Sequence, residues 1–173
     1  MRGCTIVWFR RDLRLEDNHG LHQALTQYEK VMPIFIFDPN ILEELPRDDP
    51  RVTFIRKRLG QINYTLRSKG HGTIRIYYGS PKEVFQQLIS EYPVAAVYAN
   101  ADYEPYARER DAEIEQLLQG AKVPLQTFKD QVIFEKSEVV KGDGDPYVVY
   151  TPYMKKCKEV FADLGAPKEV TSE

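Results

Sequence analysis

The sequence has only two cysteines, Cys4 and Cys157, and neither stands in a CxxC pattern. That excludes a disulfide framework and a zinc site built on cysteine pairs, and it points to a reducing compartment. No run approaches about 18 consecutive apolar residues, the length a membrane-spanning helix needs. The start, MRGCTIVWFRR, has an apolar run too short and too closely flanked by arginines for a secretory signal, so a cytoplasmic protein with no membrane partner is expected. No GxGxxG follows the first apolar run and no GxxxxGK[ST] occurs anywhere, which removes the two common glycine-rich phosphate cradles. Histidine is scarce. His19 and His22 share helical spacing without a third ligand and His71 lies in a glycine-flanked loop, so no metal centre is expected. Ser80 lacks the context of a nucleophile elbow and reads as a helix cap. A formal net charge of -2 gives no global attraction to polyanions.

What is present is a 173-residue chain, 42% hydrophobic and 29% charged, long enough for one real core. Short apolar runs alternate with helical patterns. CTIVWF (Cys4 to Phe9), VMPIFIF (Val31 to Phe37), TIRIYY (Thr73 to Tyr78), VAAVYA (Val94 to Ala99) and VPLQTF (Val123 to Phe128) read as strands, two of them almost continuously apolar. Pro33 costs the second run a ladder donor. Between them, Leu21, Leu25 and Tyr28 form one helical stripe, and Ile55, Leu59, Ile62 and Leu66 a longer one ended by Gly70. SPKE (Ser80 to Glu83) is a capping box opening a third helix, and Tyr106 to Gln119 reads as a fourth. The alternation predicts a doubly wound, Rossmann-like α/β fold: about five parallel strands with helices on both faces. After Phe128 the order fades into a turn at GDGDP and a last helix begun at Thr151 or Pro152.

The charged residues collect where strands end. WFRRDLRLEDN (Trp8 to Asn18) runs from strand directly into charge, the second strand exits into DPN, and the fourth into NADYEPYARERD. In an open parallel sheet that is the edge where ligands bind. Arg10, Arg11 and Arg14 are expected to be framework, tying this loop to Asp12 and to acidic residues after the fourth strand, with Asp12 or Asp17 as a possible helix cap. Tyr103 and Tyr106 straddle the fourth strand's loop, where a flat ligand can stack.

Four motifs in order, VWFRRDLRLEDNHGL, IFDPNIL, YANADYEPYARERD and GDPYVVYTPYMKK, resemble the hallmarks of the amino-terminal domain of DNA photolyases and cryptochromes. The resemblance implies an α/β domain that carries a light-harvesting antenna chromophore, over residues 1–130, with 131–173 an extension and the start of a linker. It further implies a separate helical domain in cis that binds FAD and damaged DNA in a full-length, light-driven dimer-repairing lyase. No catalytic residue is expected in this chain, and repair is not expected of it alone. A cryptochrome photoreceptor domain and a nucleotide-binding α/β protein unrelated to light are the alternatives. Folate-binding members have an Asn-Glu pair after the DYEP motif, where this sequence has Tyr106 and Ala107. The resemblance therefore favours a deazaflavin or FMN over methenyltetrahydrofolate and carries over Phe37, Asp38, Arg51, Asp102 and Glu104 as chromophore contacts.

Overall fold

A computed structural model describes residues 3–165 and residue 170. Five strands, β1 (Cys4–Phe9), β2 (Val31–Phe37), β3 (Arg75–Tyr78), β4 (Val94–Asn100) and β5 (Leu125–Phe128), pair in parallel in the order β3-β2-β1-β4-β5. The order reverses between β1 and β4. Among the described residues six helices accompany them: α1 (His19–Gln27), α2 (Pro39–Leu42), α3 (Pro50–Ser68), α4 (Pro81–Glu91), α5 (Pro105–Gly120) and α6 (Tyr150–Leu164).

Because side chains alternate along a strand, β1, β2 and β4 feed two separate cores. On one face Ile6, Trp8, Ile34, Ile36 and Val97 meet Val84, Phe85 and Leu88 of α4 and Ile114 and Leu118 of α5. On the other, Val7, Phe9, Phe35 and Tyr98 meet Leu21 and Ala24 of α1 and Leu59 and Ile62 of α3. That is the doubly wound arrangement read from the alternation.

Local departures from the sequence reading have local causes. The stripe on α1 is Leu21 and Ala24, continued by its C-cap Tyr28, whereas Leu25 is turned off the sheet and 42% exposed. β3 begins at Arg75 and not Thr73, because Asn63 takes over the backbone of Ile74: its amide accepts from Ile74 N at 2.7 Å and donates to Ile74 O at 3.3 Å. Pro33 is tolerated because the β2–β3 ladder starts only at Ile34, leaving β2 paired on one side at the proline. Ser80 caps α4 by accepting from Glu83 N, and its hydroxyl donates to the Glu83 carboxylate. α6 starts at Tyr150, slightly earlier than the sequence suggests.

The chain divides into two compact units after Phe128. The second begins at Lys129, whose ammonium donates to Ile133 O and to both oxygens of Glu138, and it contains α6. The Lys129 ammonium, with Glu135 N, holds the Glu138 carboxyl below its usual pKa. None of the described helices is long and apolar enough to cross a membrane.

Candidate functional site

The reversal point between β1 and β4 is filled from within. Asn100, the last residue of β4, accepts from Gly20 N at 2.8 Å and donates to Asp12 at 2.6 Å and to Asn18 Oδ1 at 3.0 Å. Asn18 is fully buried and caps α1 by accepting from Leu21 N, while its amide donates to Asp12 O and Arg14 O. Asp12 in turn accepts from Arg10 N at 2.8 Å. Neither Asp12 nor Asp17 is the cap, because a cap needs extended backbone: Asn18 has φ −113°, while Asp17 sits at φ 49° in the left-handed region. Gly20 suits a close approach, since a Cβ there would stand 3.0 Å from Asn100 Oδ1 and the network would have to yield to it.

The arginines of the opening loop are distributed as framework, though among more partners than the sequence suggests. Arg10, its side chain 7% exposed, grips Asp111 of α5 through Nη1 at 2.6 and 2.7 Å and donates to Asn100 O at 2.6 Å. Arg110 shares the same carboxylate at 2.9 Å. Both guanidiniums lie over the single tryptophan, Trp8, at 4.8 and 4.7 Å from its ring centre, a cation–π pair screened from water. Arg11 reaches Glu104 at 2.6 Å and lies 3.9 Å from Asp102. Arg14 donates to Asp17 O within its own loop.

On the β2 side, Asp38 is buried, caps α2 through Asn40 N at 3.0 Å, and accepts a short hydrogen bond from the Tyr106 hydroxyl. Burial first, and the Asp38 carboxylate second, push the Tyr106 phenol above its ordinary pKa. The folded state therefore holds this proton to higher pH than the unfolded chain, whose tyrosines ionise near about pH 10. Stability from this pair is complete below that pH and is lost as pH rises through the raised value. Tyr98, raised mainly by burial, adds in the same direction. Thermal melts taken from pH 8 upward are expected to fall steeply above about pH 10. Tyr106→Phe is expected to make that fall shallower while costing about 1 kcal/mol at neutral pH. An unchanged alkaline slope in the variant counts against this account.

Beside this network, a groove of about 680 Å³ opens between the β1 loop and the first two turns of α3. Five guanidinium side chains line it: Arg10, Arg11 and Arg14 from the loop, Arg51 and Arg58 from the helix. Its apolar lining is Leu13, Pro50, Phe54 and Ile55, and Phe54 is 68% exposed. Arg51, Ile55 and Arg58 fall at spacings of four and three, one face of a helix. Arg51 folds back on Asp49, the cap of α3, at 2.7 Å, and this guanidinium holds the Asp49 carboxyl below its usual pKa. Arg58 Nε donates to Leu13 O at 2.8 Å and so fixes the loop against α3. A volume of this size with an aromatic face and concentrated positive charge suits a flat anion.

The residues expected as contacts are only partly gathered. Arg51 lines the groove, and Asp102 and Glu104 meet it through Arg11. Phe37 packs edge-on against Phe35 in the α1/α3 core, at 5.0 Å. Asp38 has one carboxylate oxygen on Asn40 N and the other on Tyr106. Phe54, Arg58, Asn100 and Asp111 were not singled out in the sequence. The first two were findable from the face they share with Arg51; the last two were not.

The family model described as DNA photolyase matches residues 5–171. A deoxyribodipyrimidine photo-lyase of Synechococcus sp. is 33% identical over 155 residues, covering 90% of this chain and 32% of that protein. Among solved structures, a class III photolyase from Agrobacterium tumefaciens superposes with a TM-score of 0.79 at 28% identity, covering 91% of this chain and 32% of its own. The photolyase from Sulfolobus tokodaii, described with two FAD molecules and the implication of a novel light-harvesting cofactor, gives 0.77 at 27%, covering 98% and 37%. The chain thus spans about a third of the length of the relatives it matches.

Proposed function

Since this chain belongs to the DNA photolyase family, we propose that it serves as that family's light-harvesting domain, with the arginine-lined groove as the antenna site. The observation that carries this reading is the groove itself: five guanidiniums around an exposed Phe54, with Asp102 and Glu104 reached through Arg11. Nothing in it is arranged as a nucleophile with a base. A site of this kind binds and orients, and its rigidity comes from the Asp12, Asn18 and Asn100 network below it. An antenna pigment supplies light absorption and passes excitation onward. The protein's residues hold it: Phe54 and Ile55 offer an apolar face, Arg51 an anion contact, and Asp102 an acceptor for a ring or ribityl hydroxyl. In this reading light-driven repair of pyrimidine dimers, with FAD and damaged DNA, is the activity of a full-length protein that carries a helical domain in cis.

A deazaflavin or FMN is the proposed occupant ahead of methenyltetrahydrofolate. Tyr106 and Ala107 stand where folate-binding members have Asn-Glu, and the Sulfolobus tokodaii photolyase with its two FAD molecules supports a flavin. Titration of the chain with FMN, a deazaflavin and methenyltetrahydrofolate, followed by fluorescence anisotropy, tests this. Arg51→Ala and Asp102→Ala are each expected to weaken flavin binding by roughly tenfold, the loss of one charge-assisted hydrogen bond. Tight folate binding without flavin binding, or flavin binding indifferent to both substitutions, overturns the assignment.

A further inference from the structure

The acidic residues of this chain are unevenly placed. It has 26 of them and 24 lysines and arginines, yet from Pro50 to Lys82 there are eight cations and no aspartate or glutamate. That stretch is α3 and β3, with the first two residues of α4. α5 shows the ordinary mixed pattern, with Arg108 and Arg110 interleaved among Glu109, Asp111, Glu113 and Glu115. The cations of α3 fall on two flanks. Arg51 and Arg58 face the groove. Arg56, Asn63 and Arg67, at spacings of seven and four, form the other flank. Asn63 shows where that flank looks, because its side chain bonds both backbone groups of Ile74 at the entrance to β3. β3 is an open edge of the sheet. Its Ile76 and Tyr78 pair with Phe35 and Phe37, whose side chains lie in the α1/α3 core, so both stand on the α3 side of the sheet.

Exposed rings and uncommitted cations share this side of the molecule. Tyr64 of α3 and Tyr78 of β3 are 77% and 72% exposed, and Ile76 is half exposed. Among the described residues no carboxylate pairs with Arg56, Lys57 or Arg67, all three exposed, whereas Arg51 is held by Asp49 and Lys82 by Glu113. From Arg56 to Arg67 the helix rises about 17 Å. Beyond the antenna reading and independent of it, we infer that this flank of α3 and the adjoining β3 edge bind single-stranded nucleic acid. Arg56, Lys57 and Arg67 take phosphates, and Tyr64 and Tyr78 stack on bases. Positive charge interleaved with open aromatic faces suits a single strand, since every base has a π-face and every nucleotide a charge. Duplex DNA keeps its base faces stacked and leaves the tyrosine rings unused. A lipid surface calls for a continuous apolar face, and here cations separate the rings. With a net charge of -2 for the whole chain, the attraction is confined to this strip.

The test is the anisotropy of a labelled oligothymidylate of about 16 nucleotides, titrated with the chain at salt concentrations from about 50 to about 200 mM. With three phosphate contacts, the logarithm of the binding constant should fall against the logarithm of salt with a slope of about −2. Arg56→Gln combined with Arg67→Gln is expected to bring the slope to about −0.7. Tyr64→Ala is expected to weaken binding roughly tenfold at unchanged slope, and Tyr64→Phe to bind like the unaltered chain. The same strand paired into a duplex should bind at least about tenfold more weakly. Because the altered residues are exposed, melting temperatures should stay within about 2 °C. No binding at about 50 mM salt, or a slope untouched by the double arginine variant, overturns the assignment. Equal affinity for strand and duplex with no response to Tyr64→Ala does the same, as does binding to phosphatidylserine vesicles in place of the strand. The groove's own residues are unaltered throughout, so the antenna reading stands or falls separately.

Discussion

Asn100→Leu is expected to lower stability by roughly 3 kcal/mol, because the side chain serves three partners at once, two of them buried. Its oxygen is the acceptor for Gly20 N, one of the orphan amides at the start of α1, and its amide nitrogen serves the Asp12 carboxylate and Asn18. Leucine fills the space and satisfies none of them. Gly20 N is left without an acceptor, and Asp12, a half-buried carboxylate, loses its shortest side-chain donor. For a chain of this length the melting temperature should fall by roughly 6–12 °C. Denaturant unfolding should show a lower midpoint at constant slope. Because the same network supports the loop that carries Arg10, Arg11 and Arg14, ligand binding in the groove should weaken together with stability. A change below about 2 °C means that water reaches these groups and the network is dispensable.

The second large effect is expected at Asp111. Its carboxylate is 18% exposed and compensates two guanidiniums, Arg10 at 7% and Arg110 at 9%, that lie over the Trp8 ring. Asp111→Asn leaves two nearly buried cations with one neutral acceptor between them, which costs about 3 kcal/mol, the lower end for a broken buried pair because some water reaches the carboxylate. The neighbouring ion pair provides the contrast. Lys82 and Glu113 are about half exposed, at 50% and 51%, so Glu113→Gln should cost less than about 0.5 kcal/mol. Trp8, the only tryptophan, reports the change directly: its emission and near-ultraviolet dichroism should shift in Asp111→Asn and stay as they are in Glu113→Gln. If the two variants melt alike, the burial argument for the Asp111 cluster is wrong.

The legible part of the fold was whatever burial imposes locally. Alternation of apolar runs and helical stripes marked β1 to β5 and the helices between them, since each pattern records which face of one element meets the core. Errors arose where two neighbouring residues competed for one role. Leu25 reads as the better core residue on hydrophobicity, yet Ala24 lies on the sheet side and allows close approach, while Leu25 is 42% exposed. Asp17 and Asn18 are both good caps in composition, and backbone conformation decided for Asn18. Ile74 reads as strand, but the side chain of Asn63, eleven residues earlier, took its backbone bonds.

The site divides in the same way. The sequence by itself determined the alternating α/β order, the two-faced core, the concentration of charge at the carboxyl ends of the strands, and the family motifs, because each of these is a periodicity or a string within one element. Only the tertiary structure decided which charges meet. Arg10 finds Asp111 across 101 positions, Asn100 finds Gly20 across 80, and Arg58 finds Leu13 across 45. Arginines and carboxylates are interchangeable in composition, and their pairing depends on through-space distances of a few ångströms, set by how α3 and α5 pack on opposite faces of the sheet. That packing closed the crevice at the β1–β4 reversal with Asp12, Asn18 and Asn100, and left the open groove beside it, between the β1 loop and α3.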